Sequence, residues 1–200
     1  MLDGVPSTRE RILYASAELF RRHGYTGTGL KQVVAQAEAP FGSLYHFWPG
    51  GKEQLGEEVI RTSGVFYLQL WHAIADPAPD PVTAIEAFFA GAAQTLRDTD
   101  YADACPIATI ALEVASKHET LRAATADAFT SWIAAISAFL EDAGLDGATA
   151  RRLGLSTLSG LEGAFVLCRA LRSTEPLEAA GAAAAADVRQ ALATVAAAGS

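Results

Sequence analysis

The chain has 200 residues, half of them hydrophobic, and a net charge of −8 at neutral pH. That is enough apolar material for a core, yet the longest apolar runs, such as Ala182 to Ala186, fall far short of the roughly 20 residues that a membrane-spanning helix needs. Cys105 and Cys168 lie far apart with no CxxC pair, which argues against a disulfide framework or zinc knuckle; no apolar leader opens the chain, and the reducing cytoplasm is the expected compartment.

Taken in order, Ser7 and Glu10 have the spacing of a capping box, and Pro6 sets the entry to a first helix. Ile12, Ala15, Leu19 and Phe20 recur along it at helical spacing, and Gly24 is a natural left-handed stop. A polar turn over Tyr25 to Gly29 leads to a second helix, Leu30 to Ala37, with Leu30, Val33, Val34 and Ala37 inward. Glu38-Ala39-Pro40 turns the chain into a short third helix, Phe41 to Phe47. Trp48-Pro49-Gly50-Gly51 breaks it, and Lys52 opens a fourth helix to about Ala75, with apolar positions that include Leu55, Val59, Ile60, Phe66, Tyr67, Leu70 and Trp71. Further helices are expected over Pro81 to Arg97, Pro106 to about Lys117, Glu119 to Ala143 before Gly144, Ala148 to Arg172, and Leu177 to Ala197. There is no sustained period-2 alternation and no internal repeat. The fold class is therefore all-α with about nine helices: an amino-terminal domain over 5–65 and a helical body over 66–200.

The stretch Thr28 to Lys52, helix then tight turn then short helix, has the layout of a helix-turn-helix, which places its second helix in the major groove of DNA. The acidic net charge does not exclude this. Residues 1–52 hold six bases (Arg9, Arg11, Arg21, Arg22, Lys31, Lys52) and four acids (Asp3, Glu10, Glu18, Glu38), so the acidic excess lies entirely in the body. Such segregation lets one end approach phosphates. On a helix starting at Phe41, the residues Phe41, Ser43, Tyr45 and His46 can point outward while Leu44 and Phe47 turn in. Phe41 either touches a thymine methyl or is half-buried against the turn; His46 can read a base edge.

The support helix ILYASAELFRRHGY (Ile12 to Tyr25) and the stretch GSLYHFWPGGKEQL (Gly42 to Leu55) resemble the DNA-binding domain of TetR-type transcriptional regulators. Pro-Gly-Gly-Lys, and ACPIATIALEVA from Ala104 to Ala115, are similar to the lincomycin-resistance-regulator branch of that family. The resemblance implies that Ser43 contacts a base or phosphate, that Tyr45 and Lys52 contact phosphates, and that Thr28 and Lys31 grip the DNA backbone. The plainer alternatives are packing of Tyr45 on the first helix, a solvated Lys52 at a helix start, and a local cap by Thr28. Three departures stand out: Glu38 where the family has glycine, Trp48 for phenylalanine, and Phe41 for a polar residue. Glu38 must enter left-handed backbone space or force the turn to adjust, at about 1 kcal/mol.

The resemblance also implies a ligand-binding and dimerising body. An apolar pocket among helices four to eight is expected for a small hydrophobic inducer, with candidates Phe66, Leu70, Phe89, Ile110, Glu113, Trp132 and Phe165. Glu113 interrupts an apolar run, so it either faces such a pocket or is exposed or ion-paired. The last two helices are rich in alanine and contain Gly154, Gly160 and Gly163, which suits either close packing within the chain or a two-fold interface. Together these readings predict a cytoplasmic homodimeric repressor on double-stranded operator DNA, joined through its last two helices and released by the inducer, with no membrane partner. No cofactor or metal is expected. An enzyme is the main competing class: there is no HExxH, Gly51-Lys52 lacks the following Ser/Thr of a phosphate-binding loop, and His23, His46, His72 and His118 are scattered. A helical interaction module without DNA binding is the second.

Overall fold

The computed structural model describes residues 6–103 and 105–198, and the described residues form nine α-helices and no strand. α1 is Thr8–Gly27, opened by the capping box in which Ser7 Oγ accepts from the Glu10 amide and the Glu10 carboxylate accepts from the Ser7 amide. α1 is broken at Gly24, whose φ of 77° and ψ of 169° are reached without penalty only by glycine. α2 is Leu30–Gln36, α3 is Phe41–Phe47 and α4 is Gly51–Ala75. α5 is Pro81–Asp98, capped by Asp80 with proline in its first turn. α6 is Pro106–Val114, α7 is Glu119–Asp142, α8 is Gly147–Leu171 capped by Asp146, and α9 is Glu175–Ala198. α6 ends three residues short of the expected Lys117.

Contacts divide these helices into two compact units. One takes the chain through Val65 and returns to include Cys105–Ala128; the other takes the chain from Phe66 through the end of α5 and again from Phe129 onward. The expected division at residue 65 places α6 and all of α7 in the body, whereas the contacts group α6 and the start of α7 with the amino-terminal helices. The reason for the discontinuity is that α6 packs on α1, with Ile107, Ile110 and Val114 all buried. In the first unit the core is Ile12, Leu19, Phe20, Val33, Leu44, Trp48, Leu55 and Ile60 together with those α6 residues and Leu121.

In the second unit α9 packs on both α5 and α8. Gly181 of α9 lies so close to Phe89 of α5 that an added Cβ would stand 2.7 Å from the Phe89 Cβ. Gly154 of α8 is likewise pressed against Ser137 of α7, so part of the small-residue pattern serves packing within the chain. Gly163 faces open space.

α7 is long and apolar enough, by length and composition, to cross a bilayer, which a search for unbroken apolar runs misses. Its buried residues Leu121, Ala124, Ala128, Trp132, Ile136 and Leu140 recur every three or four positions, the stripe of a helix with one face in a core.

Candidate nucleic-acid interface

The turn between α2 and α3 is built on a conformation that its sequence resists. Glu38 adopts φ 50°, in the left-handed region. The strain is held from α1: Arg11 Nε donates to the Ala37 carbonyl at 3.0 Å and Nη2 donates to the Glu38 carbonyl at 3.3 Å. Nη1 donates to the Pro6 carbonyl. Arg11 is thus a brace for the turn, a role that no local pattern around it signals. A Glu38→Gly protein is expected to gain roughly 0.5–1 kcal/mol, because relief of left-handed strain outweighs the extra unfolded-state freedom of glycine. Urea unfolding of the two proteins checks this; equal or lower stability of the variant would show that Arg11 already removes the strain.

α3 turns Leu44 into the core and leaves Phe41 and Tyr45 outward, 43% and 48% exposed, with their rings edge-to-face at 5.7 Å. His46 is exposed beside them and packs on Phe47; Ser43 is half-buried. Lys31 is exposed on α2. Gly42 is also exposed, and a Cβ there would meet nothing within 4 Å. Phe41, Tyr45 and His46 therefore share one open surface.

Thr28 lies elsewhere. It is 1% exposed, and its hydroxyl donates to the Gly24 carbonyl at 2.8 Å, so it ties down the break in α1 as the local cap weighed above. The Lys52 ammonium sits 4.5 Å from the centre of the Tyr25 ring. Burial pushes the Lys52 pKa down, and the charge of Glu113 works against that shift.

The end of α3 is anchored by Trp48, which is fully buried. Its indole Nε1 donates to Glu58 Oε2 at 2.8 Å. Glu58 is paired with Arg9 at 2.6 Å, and the Arg9 guanidinium lies over the Trp48 ring. α1, α3 and α4 are thereby joined by one side-chain cluster. Gly51, at φ 67°, makes the left-handed turn into α4.

The pocket candidates do not form one set. Ile110 and Glu113 belong to the first unit, and Phe66, Leu70, Phe89, Trp132 and Phe165 to the second. Ile110 is fully buried in its unit's core. The Glu113 carboxylate accepts from the backbone amides of Tyr25 at 3.0 Å and Thr26 at 2.6 Å, an arrangement the sequence reading missed. In the second unit Phe66, Tyr67, Trp132 and Phe129 form a chain of edge-to-face rings. Phe66 and Leu70 are exposed, Phe165 is half-buried, and Phe89 is packed against Gly181. Trp71, between Phe88 and Phe139, is buried with no hydrogen-bond partner for its Nε1 among the described residues, and the Thr157 hydroxyl is in the same position.

Comparison with known proteins agrees with this geometry. Residues 12–59 match the bacterial regulatory proteins of the tetR family, and residues 81–183 match the C-terminal domain of LmrA/YxaF-like transcriptional regulators. The chain is 35% identical over 170 residues to the HTH-type transcriptional regulator YxaF of Bacillus subtilis, covering 85% of this chain and 89% of that protein. It is 31% identical to the HTH-type transcriptional regulator LmrA of the same organism, covering 85% and 90%. Among solved structures, a TetR transcriptional regulator from Legionella pneumophila shares the fold with a TM-score of 0.82 at 21% identity, covering 90% of this chain and 97% of that one. The reduced form of E. coli NemR gives 0.73 at 26% identity, covering 88% and 94%. A buried helical frame that turns an aromatic reading helix outward, matched in sequence over both of its parts, makes this chain a member of the TetR family of DNA-binding transcriptional regulators, with a C-terminal domain of the LmrA/YxaF type.

Proposed function

We propose that the protein is a cytoplasmic homodimeric repressor that reads a two-fold symmetric operator and leaves it when a small hydrophobic ligand binds. The observation that carries the DNA-reading part is the open surface of α3, where Phe41, Tyr45 and His46 stand outward from a fully packed frame. Phe41 makes apolar contact with thymine methyls, Tyr45 and Lys31 contact phosphates, and Ser43 and His46 reach phosphate or base edges. Lys52 acts at the start of α4 after swinging off Tyr25. Thr28 acts indirectly, by fixing the chain that leads into α2.

Dimerisation is assigned to the outward side of α8, where Leu155, Val166, Leu167 and Leu171 are exposed around the open Gly163. An apolar face of this kind marks an interaction site, and one short reading helix spans too few bases unless a partner presents a second. The ligand is assigned to the second unit, which holds the candidates Phe66, Leu70, Phe89, Trp132 and Phe165; Ile110 and Glu113, in the first unit, are left out. The unpaired Trp71 Nε1 favours an apolar molecule carrying a hydrogen-bond acceptor, since a buried unpaired donor costs about 1–3 kcal/mol. α4 carries Lys52 near one end and Phe66 to Trp71 near the other, and it transmits the shift of population that releases DNA. Cys105 and Cys168 are buried and not disulfide-bonded; they behave as small hydrophobes, and no catalytic role is assigned.

Selection from a random duplex pool tests this reading. The expected product is a palindrome whose half-sites lie about one helical turn apart or somewhat more; a pool that stays random would refute it. Gly42 sharpens the test. Glycine inside a helix costs roughly 0.5–1 kcal/mol relative to alanine, and no described residue beyond the adjoining helix backbone comes within 4 Å of where a Cβ at residue 42 would stand. Gly42→Ala is therefore expected to stabilise the protein while weakening binding to the selected duplex at least tenfold, because the methyl would stand between α3 and the groove. Unchanged affinity, measured by fluorescence anisotropy, would remove α3 from the contact.

A further inference from the structure

Gly24 breaks α1 and turns the next two backbone amides toward α6. There both are received by one side chain, with Glu113 accepting from Tyr25 at 3.0 Å and from Thr26 at 2.6 Å. The fit depends on glycine, since a Cβ at residue 24 would lie 1.9 Å from Glu113 Oε1. Hydrogen bonds to an ionised acceptor are among the stronger ones a protein makes. Tyr25, whose amide is held, is itself enclosed. Its ring packs edge-on against Phe20 and His118, lies under the Lys52 ammonium, and abuts Gly56, where a Cβ would stand 2.8 Å from the ring. Three residues beyond Tyr25, the Thr28 hydroxyl returns to the Gly24 carbonyl, and α2 begins at Leu30. The chain between the support helix and the helix-turn-helix is thus fixed at its amides by α6 and at its carbonyl by Thr28.

We propose that Glu113 is a positioning residue for DNA reading: its carboxylate latches α6 to the broken end of α1, and so sets where α2 and α3 lie. The proposal rests on the DNA-reading function above and gives that function a specific handle, separate from any ligand contact. A carboxylate is needed because two amides must be received by two oxygens. Glutamine offers one oxygen and sets an NH2 group against the second amide. Aspartate keeps the charge but is one methylene too short to reach both.

The test compares wild type with Glu113→Gln, using the duplex selected by the wild-type protein and random-sequence DNA of the same length. Amide hydrogen exchange over Gly24 to Phe47 and the melting temperature are read in parallel. The expected result is at least tenfold faster exchange at Tyr25 and Thr26 and at least tenfold weaker binding to the selected duplex. Binding to random DNA should change less than twofold and melting by no more than a few degrees, a combination that general loosening of the fold would not give. If Glu113→Gln does not fold, Glu113→Asp is read by the same criteria. Unchanged exchange at the two amides overturns the latch. Faster exchange with unchanged affinity for the selected duplex overturns the positioning role. A wild-type protein that selects no duplex overturns the DNA-reading function itself, and this proposal with it.

Discussion

Trp48→Ala is expected to cost about 3–5 kcal/mol, the range for removing a large aromatic side chain from a packed core. Trp48 is fully buried at the junction of α3 and α4, so the cavity opens directly beneath the reading helix. The loss also leaves Glu58 with Arg9 as its remaining partner in the cluster. Trp48→Phe separates the two contributions. It keeps most of the apolar volume but removes the indole N–H, and the net loss should be near 1 kcal/mol. Chemical denaturation followed by circular dichroism reads both variants, and DNA binding should fall with the Ala variant as the head loosens. If Trp48→Ala lost less than about 1 kcal/mol, the frame would be collapsing around the gap, and Trp48 would not be the anchor that the cluster suggests.

Val166→Glu combined with Leu167→Glu is expected to halve the mass in solution and to weaken operator binding at least a hundredfold. Both side chains are exposed on α8 of the single chain. Surface replacements of this kind usually change stability by no more than about 0.5 kcal/mol, so the monomer should stay folded. Across a two-fold interface the same pair would place four carboxylates in apolar surroundings, each costing several kcal/mol unless paired. Affinity falls because a monomer meets one half-site and loses the linked second contact. Light scattering at micromolar concentration gives the mass. A variant that stays dimeric would move the interface off this face of α8.

The elements were legible because their signals are local. The Ser7–Glu10 capping box, the stop at Gly24, Pro81 and Pro106 in first turns, and Gly144 after α7 each announce a boundary within a few residues. Glu38 shows the same in reverse: a residue ill-suited to left-handed space stands where the turn demands it, and it takes that conformation. The placement of the helices was less legible. Glu113 meets Tyr25 across 88 positions, and no periodicity within α6 states which helix its buried face will meet. The family resemblance gives Thr28 a grip on the DNA backbone, with a local cap as the alternative; the Gly24 carbonyl that claims it follows from a backbone break whose geometry sequence does not give. Arg11 is one of several arginines on α1, and only the fold distinguishes the one that reaches Ala37 and Glu38.

The first unit is assembled from two stretches of chain, one ending at Val65 and one spanning Cys105–Ala128. On the ribosome those stretches emerge apart. At about 5–20 residues per second, the interval between Val65 and Ala128 lasts roughly 3–13 seconds. Throughout that time the nascent amino-terminal helices lack the partner that buries the back of α1, and an excised fragment ending at residue 65 would lack it permanently. The core of the amino-terminal unit is therefore complete only after Cys105–Ala128 has been translated.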